Sequence, residues 1–394
     1  MERVPADLDR RGLSVVACAH ALADCCQGAV PALLPFLIAE NGWSYATASS
    51  LVLAGAASSS LLQPAFGYFA DRRSLSWMMP LGIFVGSLFV GLAAIAPSFP
   101  LAFAAVVASG LGVAAFHPEG SRYANYLSGA RRATGMSLFS VGGNAGFALG
   151  PAFVTPAVLL LGLPGALVVA VPGTAVAIWI AAELPRLRSF RPAAGVVRAG
   201  SHRGEEDDWS AFSRLGVVIA ARTVLFYGML TFVPLYFVDV LDRSEEAGNT
   251  ALILFLVGGA LGTLVGGRLA DRIGRRPVVI GTLGLASPLV LLFLAVPAAV
   301  ATPLLFLTGV TVISSFSVTV VMGQEYLPNR IGIASGVTLG LAIGLGGLAA
   351  PLLGLLADAR GIETALVLAG LLPIVGVIAT LTLPSENRRA PVAA

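Results

Sequence analysis

The chain has no lysine, three cysteines, three histidines and little charge for its 394 residues. Charged residues make up 11% of it, against roughly 25% in soluble domains. A water-soluble fold of this length has no means of covering so much apolar surface, and a disordered chain would be richer in charge. Cys18, Cys25 and Cys26 fall in one apolar segment; an odd number at lipid depth excludes a disulfide framework. His20, His117 and His202 are scattered along the chain, so their spacing suggests no zinc site and no metal is expected. Without lysine there is no Gly-x-x-x-x-Gly-Lys loop, which excludes drive by ATP; no cofactor is expected either. An intramembrane enzyme would need a nucleophile–base set or a metal cluster, and the spacing of Ser and His provides neither.

What the sequence has in excess is apolar length. Hydrophobic residues make up 57% of the chain, and a hydrocarbon core about 30 Å thick takes roughly 20 of them per helix. On that measure twelve spans are predicted: 13–39, 46–69, 76–96, 99–120, 133–157, 163–183, 212–239, 248–269, 277–297, 300–325, 332–356 and 362–383. The first is too long for the apolar region of a signal peptide and carries His20 and Asp24 inside it. Placing both termini in the cytoplasm puts 21 of the 24 arginines on the cytoplasmic side. Arg243 and Arg360 fall outside and Arg222 within a span. This bias supports both the span count and the orientation. It also makes the net charge of +3 a matter of topology, and no nucleic-acid partner is expected.

The polar stretch around 191–210 reads as a cytoplasmic linker between an N-terminal half, 1–190, and a C-terminal half, 211–394. Its acidic run Glu205-Glu206-Asp207-Asp208 is a solvated loop, and it is too short for a signalling domain. The halves resemble each other at an offset near 200. Gly67-Tyr-Phe-Ala-Asp71-Arg72-Arg73 follows span 2, and Gly267-Arg-Leu-Ala-Asp271-Arg272-Ile-Gly-Arg275-Arg276 follows span 8. Glu119 closes span 4 and Glu325 closes span 10. Parallel six-helix repeats are one architecture of secondary transporters.

The second of these loops resembles the signature loop of the major facilitator superfamily, and the first is a shortened copy. His20-x-x-x-Asp24, Leu61-Leu62-Gln63-Pro64, Phe116-His117-Pro118-Glu119, Val141-Gly142-Gly143-Asn144 and Gln324-Glu325-Tyr326-Leu327-Pro328 together resemble the fosmidomycin-resistance family of bacterial efflux proteins. The resemblance implies an all-α membrane protein of twelve transmembrane helices in two pseudo-symmetric halves. It also implies proton-driven export of fosmidomycin, a phosphonate antibiotic, across the bacterial inner membrane. The expected partners are the bilayer, protons and a small anionic substrate, and the chain is expected to work as a monomer. A proton-coupled importer of a small organic anion with the same fold is the alternative.

Ionisable groups at membrane depth carry the mechanistic reading, because each is costly unless it faces a cavity or a partner. Asp24 lies about 16 Å into span 1, at 1.5 Å per residue, with His20 one turn below on the same face. A carboxyl group there can take a proton from one side and lose it to the other, so Asp24 is expected to carry the proton and His20 to tune it. Arg222 sits at nearly the same depth in span 7 and needs an anion, either Asp24 or a bound substrate. Guanidinium donors suit a phosphonate. On this reading protonated Asp24 frees Arg222 for the drug, and drug release lets Asp24 deprotonate; a fixed structural pair is the other possibility.

Asn144, Gln63, Tyr227 and His117 are further candidates for substrate contact. A cytoplasmic gate is expected from Asp71, Arg72, Arg73, Glu119 and Arg122 in the first half. Asp271, Arg272, Arg275, Glu325 and Arg330 are expected to match them in the second. Glycines recur at every fourth position: Gly142, Gly146 and Gly150; Gly258, Gly262 and Gly266; Gly336, Gly340 and Gly344. Each set lies on one helix face; the superfamily resemblance implies that spans 5 and 8 face each other across the halves, as do 2 and 11, and the glycines are expected to form a smooth seam there on which the halves rock.

Overall fold

A computed structural model describes residues 8–63, 65–66, 75–129, 131–190 and 206–384. Twelve long α-helices lie among them: α1 (Arg10–Asn41), α2 (Tyr45–Leu61), α3 (Met78–Ala94), α4 (Phe99–Leu127), α5 (Arg132–Leu161), α6 (Ala170–Leu187), α7 (Trp209–Asp239), α8 (Glu245–Ile273), α9 (Arg275–Ala295), α10 (Ala298–Tyr326), α11 (Ile331–Arg360) and α12 (Ile362–Leu381). They match the twelve predicted spans in order. A 3₁₀ turn at Leu163–Val169 leads into α6. Ten helical segments have the length and hydropathy to cross a bilayer, and α3 is apolar over 17 residues. The chain is a multi-pass membrane protein. Successive helices run back and forth, so the arginine-rich ends gather on one side of the bundle.

The helix ends repeat as the halves do. Asp9 caps α1 by accepting from the Gly12 N–H, and Asp208 caps α7 by accepting from the Ala211 N–H. Ser44 and Ser244 do the same for α2 and α8. Such caps satisfy N–H groups that the helix itself leaves open. Gly42 turns the corner from α1 to α2 with φ 65°, and Asp242 turns the matching corner with φ 51°. That backbone region costs a glycine little, and a short acidic side chain visits it more readily than most residues.

Within the first six helices α1 packs most extensively on α5, and within the last six α8 packs on α10. The glycine rows explain both contacts. A Cβ on Gly142, Gly146 or Gly150 would run into the α1 backbone at Ala17, Ala21 or Cys25–Ala29, and one on Gly258, Gly262 or Gly266 into α10 at Phe306, Val310 or Ser314. These rows therefore seat helices inside each half, which corrects the expected seam between halves. The physical reason is that every-fourth spacing selects a face without selecting its partner. Between the halves, α2 lies on α11 and α5 on α8. Two α11 glycines lie against α2: Gly347 against Ala56, and Gly354 against Ala46 and Ser49. Gly344 faces open space, and the packing of Gly336 and Gly340 lies outside the described residues.

Hydrogen bonds join the halves on the arginine-poor side. The Asp358 carboxylate at the end of α11 accepts from the Tyr45 and Ala46 N–H groups at 2.8 and 3.0 Å. It thus completes the capping of α2 from the other half. The Tyr45 hydroxyl donates to Asp239 at 2.9 Å, and the Asn249 amide donates to the Ala32 carbonyl at 3.1 Å. The bundle is held shut on this side. A helix cap is worth about 0.5–2 kcal/mol, enough to shift a balanced equilibrium several-fold. Asp358→Ala should therefore open the arginine-poor side. Electron-electron distance measurements between nitroxide labels in the turns before α2 and after α11 should gain a longer population; an unchanged distribution would remove Asp358 from the closure.

Candidate functional site

Asp24 stands near the middle of α1 and is buried. Two imidazoles converge on it. His20, one turn earlier, puts Nε2 3.3 Å from Oδ2, and His117 of α4 puts Nε2 3.3 Å from Oδ1. The His20 and His117 rings meet edge to face at 5.1 Å. Both rings are fixed from behind. His20 Nδ1 lies 2.8 Å from the Phe139 carbonyl of α5, and His117 Nδ1 lies 2.8 Å from the Val113 carbonyl of its own helix. Phe139 also stacks on His20 at 4.0 Å with 16° between the planes.

The close approach of α5 makes this arrangement possible. A Cβ on Gly143 would lie 2.6 Å from Asp24 Oδ2 and 2.7 Å from His20 Nε2, so only a residue without a side chain leaves room. The sequence reading placed His20 with Asp24 and counted His117 among substrate contacts. The fold brings His117 onto the carboxylate. It also overturns the view of the histidines as scattered, because α4 crosses α1 at the level of Asp24.

Arg222 is near the middle of α7 and 4% exposed. Its guanidinium lies 5.0 Å over the Phe316 ring and donates to the Thr223 hydroxyl at 3.3 Å. Its Nε has no hydrogen-bond partner, and no carboxylate pairs with it among the described residues. The expected Asp24–Arg222 pair is thus absent, since both Asp24 oxygens are taken up by imidazoles. Tyr227 lies five residues further along α7 and is buried. It lines a small cavity between the halves with Gln27, Gly55, Phe147 and Leu230.

The other predicted contacts divide. Gln63 lies past the end of α2, and the residue that reaches α1 is Ser59, one turn before it, which accepts from the Gln27 amide at 2.8 Å. Asn144 is half-buried beside Gly143 and takes no hydrogen bond among the described residues. Gln27 escaped sequence reading, although its place three residues after Asp24 was a usable signal. Tyr45, Asp239 and Asp358 escaped it because helix-end residues looked like loop.

Of the gate residues, Glu119 is buried and pairs with Arg122 of its own helix at 2.5 and 2.6 Å, and it also accepts from the Leu75 N–H at 3.1 Å. Glu325 pairs with Arg275 at 2.9 Å. Arg330 turns instead to Asp207 at 3.2 Å and to the Trp209 ring. Asp271 and Arg272 are exposed at the end of α8. Asp71, Arg72 and Arg73 lie outside the described residues. The pairs of Glu119 and Glu325 each lie within one half, and that of Arg330 ties the linker to the second half.

The fold and its sequence both have relatives. The Major Facilitator Superfamily model matches residues 16–351. The chain is 32% identical over 383 residues to the MFS-type transporter YfnC of Bacillus subtilis (strain 168), covering 95% of this chain and 93% of that protein. It is 30% identical over 384 residues to the fosmidomycin resistance protein of Escherichia coli (strain K12), covering 96% and 93%. Among solved structures, a bacterial homologue of the human lysosomal transporter Spinster, inward-facing and occupied, superposes with a TM-score of 0.77. That likeness comes at 14% identity over 96% of this chain and 98% of the other. The nucleoside transporter NupG gives 0.72 at 14% identity, over 95% and 100%.

The cluster predicts a sharp steric effect. Gly143→Ala should lower transport at least about tenfold, because the added methyl meets the carboxylate and imidazole and relief by a backbone shift costs about 1–3 kcal/mol. Size-exclusion profiles should still show folded protein. Full activity in the alanine variant would mean that the cluster tolerates being pushed apart.

Proposed function

The chain belongs to the Major Facilitator Superfamily, and we propose that it is a proton-coupled antiporter exporting fosmidomycin or a related small anionic drug across the bacterial inner membrane by alternating access. The observation that carries this reading is the pair of buried groups of opposite kind at mid-depth. One half holds a carboxylate between two imidazoles; the other holds a guanidinium with no carboxylate against it among the described residues. The sequence relationship to a fosmidomycin resistance protein supports the anionic drug.

In the proposed cycle Asp24 and His20 carry the proton load, and His117 joins them instead of touching substrate. Arg222 takes the anion, since a guanidinium offers a phosphonate paired N–H donors. Tyr227 and Gln27 shape the space between, and Asn144 and Gln63 contribute at its edge. The arginine-rich side is cytoplasmic, with both termini there, the 191–210 segment linking the halves and one chain forming the transport unit. Glu119 with Arg122, and Glu325 with Arg275, hold the helix ends that meet when that side closes, together with Asp71, Arg72, Arg73, Asp271, Arg272 and Arg330. The drug binds from the cytoplasm and leaves on the far side, and protons loaded there return the carrier.

One physical consideration favours the alternative, a proton-coupled importer. An anion bound near a protonatable cluster favours the protonated form of that cluster. Drug and proton then travel together, which down an inward proton gradient is import. Antiport requires a conformational rule that excludes the doubly loaded carrier.

The sign of proton movement decides between them. Purified protein in liposomes, given fosmidomycin on one side, should release protons from the compartment the drug enters. Protons entering with the drug would establish the importer, and no movement would reject fosmidomycin as substrate. Asp24→Asn should abolish the coupled proton signal; a variant that couples like wild type would make Asp24 structural. Arg222→Gln should raise the drug KM about tenfold or more, since a hydrogen bond to a charged group is worth about 1.5–3 kcal/mol. An unchanged KM would remove Arg222 from the anion site.

A further inference from the structure

The His20–Asp24–His117 cluster has the form of a metal-ligand set. Each residue offers one ligand atom, and these atoms lie within 4.8 Å of one another. Both Nε2-to-carboxylate separations are 3.3 Å. Charge-assisted N–H···O bonds run about 2.7–2.9 Å, so these are long for hydrogen bonds. Each is close to the edge of a coordination tetrahedron, which for bonds of about 2.0–2.1 Å is about 3.3–3.4 Å; the imidazoles approach different carboxylate oxygens, so an ion between them takes the carboxylate through both.

The ring tautomers sharpen the point. Both Nδ1 atoms lie 2.8 Å from backbone carbonyl oxygens, which only accept, so each Nδ1 bears the proton. In the neutral ring Nε2 is then a bare lone pair facing a carboxylate oxygen, and that arrangement needs a cation between them. Two protons satisfy it, one on each ring. A single divalent ion satisfies it as well, with all three ligands at once. The backing of metal-bound histidines by carbonyls through the other nitrogen is a known way to hold ligand orientation, and Phe139 stacked on His20 adds rigidity.

From this geometry we infer that His20, Asp24 and His117 bind a divalent first-row transition metal ion, with zinc and cobalt the fitting test ions. Two imidazoles and a carboxylate suit such ions. The side open to a further ligand is that of His117, whose side chain is 21% exposed. The metal takes the place of the protons, so metal-bound and proton-loaded carriers exclude each other. The binding site rests on the cluster geometry alone and not on the substrate or direction proposed above.

The test uses the purified full chain, stripped with chelator and titrated with Co²⁺ and then Zn²⁺. One Co²⁺ per chain is expected, with visible ligand-field absorption, no thiolate charge-transfer band and displacement by Zn²⁺. Asp24→Asn and His117→Gln should each weaken binding at least about tenfold, the lower end of the cost of disturbing even supporting groups at metal sites. Cys25 and Cys26 lie next to Asp24 in sequence, so the double variant Cys25→Ser/Cys26→Ser should bind as wild type does. X-ray absorption at the zinc edge of the wild type needs no variant, and it should read imidazole and oxygen neighbours and no sulfur. A sulfur shell, binding unchanged in Asp24→Asn and His117→Gln, or no stoichiometric binding overturns the metal site. The last result combined with Asp24-dependent proton movement would overturn it while leaving the transport proposal standing. Stoichiometric binding at imidazole and oxygen with no drug-driven proton movement would support the metal site and sink the transport proposal.

Discussion

A carboxylate in the middle of an apolar bundle has to be partnered, and much of the first half is arranged to partner Asp24. Isolated, the charged group would cost far more than the protein's net stability margin. The solution recruits three helices. α1 supplies Asp24 and His20, α4 supplies His117, and α5 supplies the carbonyl and ring of Phe139 that hold His20 in place. That support depends on backbone contact between α1 and α5, which Gly142, Gly146 and Gly150 allow from one side and Gly28 from the other. The glycine row and the ionisable cluster are therefore one design: the row sets the helix spacing, and the spacing sets the cluster.

The second half meets the same problem with the opposite charge and a different answer. Arg222 occupies the depth in α7 that Asp24 has in α1, but it is packed over Phe316 with a weak hydroxyl contact in place of a carboxylate. A cation–π contact compensates a desolvated guanidinium by about 2 kcal/mol or more, which is less than burial costs it. The first half is electrostatically settled and the second is not. An anion arriving between the halves thus gains most from Arg222.

Much of the fold was legible in the sequence, and the site only in part. Apolar runs fix the number of helices because the bilayer fixes their length, and the arginine bias sorts their ends. The repeat was visible in the signature loops, and the structure extends it to caps such as Asp9 with Asp208 and Ser44 with Ser244. Asp24, His20 and Arg222 were legible because an ionisable residue in an apolar run stands out. What escaped depends on which helix faces which. Nothing in the spacing of His117 says that α4 crosses α1 at Asp24, and nothing in the glycine rows says whether they face their own half or the other. The closure residues Tyr45, Asp239 and Asp358 escaped for a further reason: polar residues at helix ends are ordinary, and only the docking of α2 on α11 gives Asp358 its partners.

The placement of the two buried charges in different halves bears on how the two loads of the proposed cycle would influence each other. Each charge is fixed within its own half, Asp24 by imidazoles and Arg222 by packing, so neither has to swing for the cycle to proceed. Rocking one half against the other changes the separation of carboxylate and guanidinium and the water that screens them. With the arginine-poor side held by Asp358, Tyr45 and Asn249, a small cavity lined by Tyr227, Gln27 and Phe147 remains between the halves. Electrostatic energy at such low polarity is steep in distance. A change of a few ångströms in this gap therefore alters the cost of each protonation state more than a side-chain flip on a solvated surface would. In the proposed cycle the coupling between loads comes from the geometry of the interface between halves, with the cluster and the guanidinium serving as its two fixed ends.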